Sequence, residues 1–260
     1  MARSVLAAAL IFAISGRLPA QHVRDHPSPA GTSSKASAPV KKPAAGDWKM
    51  DAMAKHMAYS ASRPLTPADS VRAAQVIAEL RQAVVRYQDV KLAEADGYKM
   101  FAPQLKNQPQ YHFTKNWNAI RNSFGFDPAR PTSLLYKRNA RGELVLTGAM
   151  FTASKRTSEE ELDERVPLSV ARWHRHVNWC VPQRGDKERW FEAKDGRPVF
   201  GPLGVATETE CDAAGGRFIE QAFGWMVHAS VFAGNDLRSI WHDDHMAHDH
   251  DAMLGTPTPD

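Results

Sequence analysis

The sequence predicts an α+β fold, with an N-terminal amphipathic helix followed by a mainly antiparallel β-sheet domain, sandwich or barrel-like. Three observations lead there. Apolar residues Ala73, Val76, Ile77, Leu80, Val84 and Tyr87 recur at helical spacing. Two strand-like runs, 133–137 and 144–151, flank a short turn that contains Gly142. Further strand-like runs follow at 172–179 and 223–232. Helix first and then mostly sheet is the α+β order. At 260 residues, 43% of them hydrophobic, the chain is long enough for one sizeable core and short for two.

Taken in order, residues 1–20 read as an export signal. Arg3 supplies the positive start, and the apolar run 5–14 is too short to span a bilayer as a helix. Ala20 offers a small residue for cleavage, although Leu18 two positions earlier fits the small-x-small pattern poorly. Cleavage after Ala20 predicts a periplasmic or secreted protein with no transmembrane segment once the signal is removed. Residues 21–63, rich in Pro, Ala, Ser and Lys, read as a flexible linker that buries too little apolar area to offset its ordering entropy. A single domain is expected over 64–240. Its helix opens with Thr66 as N-cap, Pro67 in the first turn and Asp69 three residues after the cap, and Gly97 is the expected stop. In the hairpin Gly142 supplies a positive φ. An acidic helix is expected over 157–165, ended before Pro167, and a second short helix over 207–216, closed by glycine. Residues 241–260 form a His/Asp-rich tail.

Two segments carry a resemblance. Arg86-Tyr-Gln-Asp-Val90 with Ala93-Glu-Ala-Asp-Gly-Tyr98, a later His112, and the hairpin from Pro131 to Tyr136 and on to Gly148 resemble a set of exported bacterial proteins of unassigned activity. These proteins share an R-Y-x-D-V…A-x-A-D-G-Y segment and a P-x-S-L-L-Y hairpin. The resemblance covers about half of the domain and implies export and one β-rich domain. It transfers no catalytic residue.

Charge argues against a nucleic-acid partner. The formal net charge is +4, but residues 1–63 hold nine Lys/Arg against three acids, which leaves 24 basic and 26 acidic residues for the rest. A nucleic-acid domain keeps its positive charge on the folded part. The two cysteines, Cys180 and Cys211, exclude a four-cysteine zinc ribbon, and in an exported protein they are expected to pair.

Chemistry is concentrated in histidine. Of eleven, His112, His174, His176 and His228 lie in the expected domain. His174 and His176 at i and i+2 on a strand share one face, with roughly 7 Å between them, the usual way a sheet offers two ligands to one metal. His228 is the candidate third ligand and His112 the fourth, and imidazole suits zinc or copper. Asn178 would continue that face as an oxygen or supporting ligand, and Arg172, on the same face, weighs against a metal. Glu208, Glu210 and Glu220 are the carboxylates available as an acid or base. In the tail, His242, His245, His248 and His250 are interleaved with four aspartates, a composition that captures Zn, Ni or Cu without a fixed fold. Met50, Met53, His56 and Met57 form a third cluster with the softness that selects Cu(I), and the same spacing also suits packing of a helix face. There is no Gly-x-Ser-x-Gly elbow, phosphate-binding loop or His-Glu-x-x-His motif.

Three functions are therefore expected as candidates. The leading one is an exported soluble protein that binds copper or zinc and buffers or delivers the ion. The others are an enzyme with a mononuclear His-ligated metal in the β-domain and a non-catalytic envelope binding module without metal. The sequence names no protein partner.

Overall fold

The computed structural model describes residues 47–103, 107–232 and 234–241. The expected signal peptide and tail histidines His242, His245, His248 and His250 lie outside the described residues. Secondary structure begins earlier than the sequence predicts: α1 (Asp47–His56) and β1 (Met57–Tyr59) occupy the end of the expected linker. Tertiary contact overrides composition here, because β1 pairs with a strand of the domain and the His56 ring is buried.

Next comes α2 (Pro67–Val84), with the expected capping box. The Thr66 hydroxyl accepts from the Asp69 amide, and the Asp69 carboxylate accepts from the Thr66 amide. The helix does not run on to Gly97. A 3₁₀ turn, Val85–Gln88, follows, and Asp89 caps the separate α3 (Val90–Ala95). Tyr136 accounts for part of the break: its hydroxyl donates to the Tyr87 carbonyl at 2.6 Å, in place of a helical amide. Gly97, at φ 90°, ends this region.

β2 (Lys99–Met100), β3 (Tyr111–Thr114), α4 (Asn116–Asn122), β4 (Ser133–Arg138) and β5 (Leu144–Ala153) come next. β4 and β5 are the predicted hairpin, with Gly142 at φ 80°. After them come α5 (Glu159–Arg165), β6 (His174–Val181), the small hairpin β7 (Ala193–Lys194) and β8 (Arg197–Pro198), α6 (Glu208–Ala213), β9 (Arg217–Gln221), β10 (Trp225–Ala229) and α7 (Leu237–Trp241). The main sheet has eight strands in the order β1-β6-β10-β5-β4-β3-β2, with β9 also paired to β6, and every pairing is antiparallel.

Alternation divides the sheet into two faces. Phe113, Leu134, Phe151, Ala153, Trp225 and Val227 turn to the main core, where they meet Ile77, Leu80 and Val84 of α2. Full burial of such a side chain contributes about 1.5–3 kcal/mol, so this face and the helix that covers it hold the fold. Their neighbours in sequence, Leu135, Met150 and Met226, form a separate apolar cluster. Cys180 and Cys211 are joined by a disulfide that fastens the end of β6 to α6. Among the described residues, no helix is long and apolar enough to cross a membrane.

Candidate functional site

The face opposite the main core carries all four domain histidines. On β6, His174 and His176 share that face as their spacing predicts, with ring centroids 5.7 Å apart. The His228 ring, from β10, lies 5.1 Å from His174, and the His112 ring, from β3, lies 5.7 Å from His228. The imidazoles thus form a row: His112, His228, His174, His176. This closeness is not trivial, because β5 and β4 lie between β10 and β3. In a flat sheet that separation is roughly 14 Å. A centroid distance of 5.7 Å requires the two side chains to lean toward each other across a curved face. Leu135 and Met150 form the floor between them.

His174 is 1% exposed and His228 7%, whereas His112 and His176 are half-buried, so the row is buried at its middle and reaches the rim at both ends. Tyr59 of β1 stands opposite His174, with its ring 6.2 Å away. At the other end His176 meets Trp179 and Phe223, at 5.4 and 6.0 Å. An open groove of about 350 Å³ begins there, lined by Trp179, Trp190, Phe223, Arg184, Lys187 and Arg217.

Two expected participants are placed elsewhere. Asn178 adopts φ 57°, interrupts the alternation of β6, and donates its amide to the Lys55 carbonyl at 2.9 Å. It supports α1 rather than the histidine row. Arg172 precedes β6, so strand alternation does not apply to it; its guanidinium lies over the Tyr59 ring at 4.6 Å. Of the candidate carboxylates, Glu210 accepts from the Thr207 hydroxyl at the start of α6, and Glu208 and Glu220 are exposed.

The Met50, Met53, His56, Met57 cluster is divided between two elements. His56 places Nδ1 3.3 Å from the Val177 carbonyl oxygen and Nε2 3.0 Å from that of Gly204. Both nitrogens face carbonyls, so no lone pair is directed at an ion. Met53 is half-buried on α1, and the side chain of Met50 lies outside the described residues. Met57 has left the cluster for β1, where it stands opposite His176.

Met150 and Met226, which the sequence analysis did not single out, share this face with the histidines. Their signal was present as strand alternation: Met226 and His228 are i and i+2 on β10, hence on one face. Ionisation elsewhere is structural. Burial pushes the Tyr98 and Tyr136 hydroxyls above the ordinary phenol value, and burial with the Asp96 hydrogen bond pushes Tyr87 up to about 12. These groups lie against the main core, away from the histidines.

Among the described residues, no three His, Cys, Asp or Glu side chains already converge as a metal-ligand set. No family model, curated protein or solved structure matches the chain.

Proposed function

We propose that this is an exported protein that binds a transition metal, copper or zinc, at the histidine row of its sheet and buffers or delivers the ion. The observation that carries the reading is the row of four imidazoles from three strands on one face, with neighbouring rings 5.1 to 5.7 Å apart. Rings on ligands of a common ion stand at about this separation, given metal–nitrogen bonds of roughly 2.0–2.1 Å. Export is supported by the apolar N-terminal run and by the Cys180–Cys211 disulfide, a bond that persists in oxidising compartments. Buffering or delivery is favoured over catalysis because the candidate carboxylates stand at caps and on the surface rather than beside the row.

The test is the metal content of the untagged mature chain after loading with Zn(II) or copper and exhaustive dialysis. It is compared with a chain lacking 242–260 and with His174→Ala and His228→Ala variants of that shorter chain. Near-stoichiometric metal in both unmutated chains, lost with an affinity drop of about a hundredfold in either variant, is expected. Metal held only by the full-length chain would move the site to the tail and overturn the reading for the sheet. Circular dichroism of each variant separates loss of the site from loss of the fold.

A further inference from the structure

We infer that the ion favoured by this face is monovalent copper, held by thioether sulfurs of Met150 and Met226 together with the imidazoles of His174 and His228. The inference rests on the metal-binding reading above and goes beyond it in naming the oxidation state and the sulfur ligands. Strand register carries it. His174 stands directly opposite Met226, His228 opposite Met150, and His176 opposite Met57. Opposed residues of antiparallel strands share a face, with Cβ atoms about 4.5–5.5 Å apart. Three of the four histidines in the row thus have a methionine as their cross-strand neighbour.

Burial and charge point the same way. Met150 and Met226 are 7% and 8% exposed and pack with Leu135, apart from the main core. Their flexible side chains and polarizable sulfurs can turn toward an ion without leaving the floor. Every donor in this set is neutral when it binds. A buried divalent ion held by neutral donors keeps its full charge in a poorly solvated place, whereas a monovalent ion carries half of it. Thioether and imidazole together are also the soft donor set that selects Cu(I). The row lacks a ready set of three nitrogen, oxygen or thiolate donors, as a tetrahedral zinc site demands. The ion enters and leaves as Cu(I), so no electron transfer is part of the proposal.

The experiment uses the full-length mature chain under anaerobic conditions, with Cu(I) presented as its complex with a coloured chelator and Zn(II) titrated in parallel. The comparison is the double variant Met150→Leu/Met226→Leu, which conserves apolarity and nearly conserves volume, with its fold checked by thermal melting. The expected result is tighter binding of Cu(I) than of Zn(II) by the unmutated chain. The double variant should lose about tenfold or more in Cu(I) affinity and keep its Zn(II) affinity. Unchanged Cu(I) affinity in the double variant, or a preference for Zn(II), overturns sulfur ligation and leaves metal binding by the histidines in place. Uptake of neither ion, or uptake unaffected by His174→Ala and His228→Ala, overturns both. Should the double variant misfold, Met226→Leu alone makes the same comparison.

Discussion

Arg63 holds two carboxylates at once. Its guanidinium donates to both oxygens of Asp69, at 2.6 and 2.7 Å, and to both oxygens of Asp163, at 2.7 and 2.8 Å. The start of α2 is thereby tied to α5, and Asp69 keeps its cap on Thr66 as well. The Arg63 hydrogen bonds are the largest cause holding both carboxyls below the ordinary aspartate range. The sign follows from linkage. Because the folded values are lowered, the stabilisation is fully present above the unfolded aspartate pKa of about 3.9 and erodes as pH falls below it. Asp69→Asn should therefore lower the melting temperature by several degrees at pH 7, and the gap from the unmutated protein should narrow as pH falls below about 4. Thermal melts across that range check it. A gap that stays constant would mean that Asp69 acts through packing and hydrogen-bond geometry rather than charge.

Among the elements β6 does most to build the site, since it carries two of the histidines and pairs with β1, β9 and β10. Its far end is fixed by the disulfide, which closes a loop with a sequence separation of 31. Loop entropy assigns such a bridge roughly 3–4 kcal/mol. Gly216 is fitted against it: a Cβ there would lie 2.4 Å from the Cys180 sulfur and 2.9 Å from that of Cys211. Reduction, or Gly216→Ala, should lower the melting temperature, and thiol titration should find free cysteines in the variant after mild reductant that leaves the native bridge intact. Equal thiol release from the two proteins would show that Gly216 does not protect the bridge. Elements of this kind were legible in the sequence where their signals are local. The Thr66 capping box, the Gly142 hairpin, and the i, i+2 pair His174 and His176 all lie within a few residues. The break after Val84 was not legible, because Tyr136, which takes the Tyr87 carbonyl, is 49 residues away. The pairing of methionine with histidine was hidden for the same reason, since strand register is a long-range property. The segments 86–98 and 131–148 also meet in space. The Tyr98 hydroxyl donates to the Pro131 carbonyl, and Tyr87, whose carbonyl takes the Tyr136 bond, donates its own hydroxyl to Asp96, so these residues build one corner of the fold.

At the scale of the whole molecule, the segment 47–59 covers an edge of β6 that would otherwise be open. Without β1, the edge of β6 would present unpaired backbone groups beside His174 and His176, a template for pairing with other chains. Docking contacts include the β1 ladder, the Asn178 amide on Lys55, the Arg172 and Arg197 guanidinium groups over the Tyr59 and Trp48 rings, and the buried His56 ring beside the Val177 and Gly204 carbonyls. Replacing His56 by alanine removes the ring N–H from the carbonyl it serves and opens a cavity, at a cost of about 1–3 kcal/mol. Because the main core is formed by other elements, the loss should appear as local opening of the segment before global unfolding. Limited trypsin digestion reads this directly. Cleavage after Lys49 and Lys55 should be faster in His56→Ala than in the unmutated protein, with sites beyond Tyr59 cut at unchanged rates. Uniform acceleration at all sites would mean that His56 supports the whole fold, and no acceleration would mean that the ladder alone holds the segment. Met57 rides on the same strand opposite His176. Local opening should therefore also uncover the edge of β6 beside His174 and His176 while leaving the melt of the core nearly unchanged, which links the docking of this segment to the face it borders.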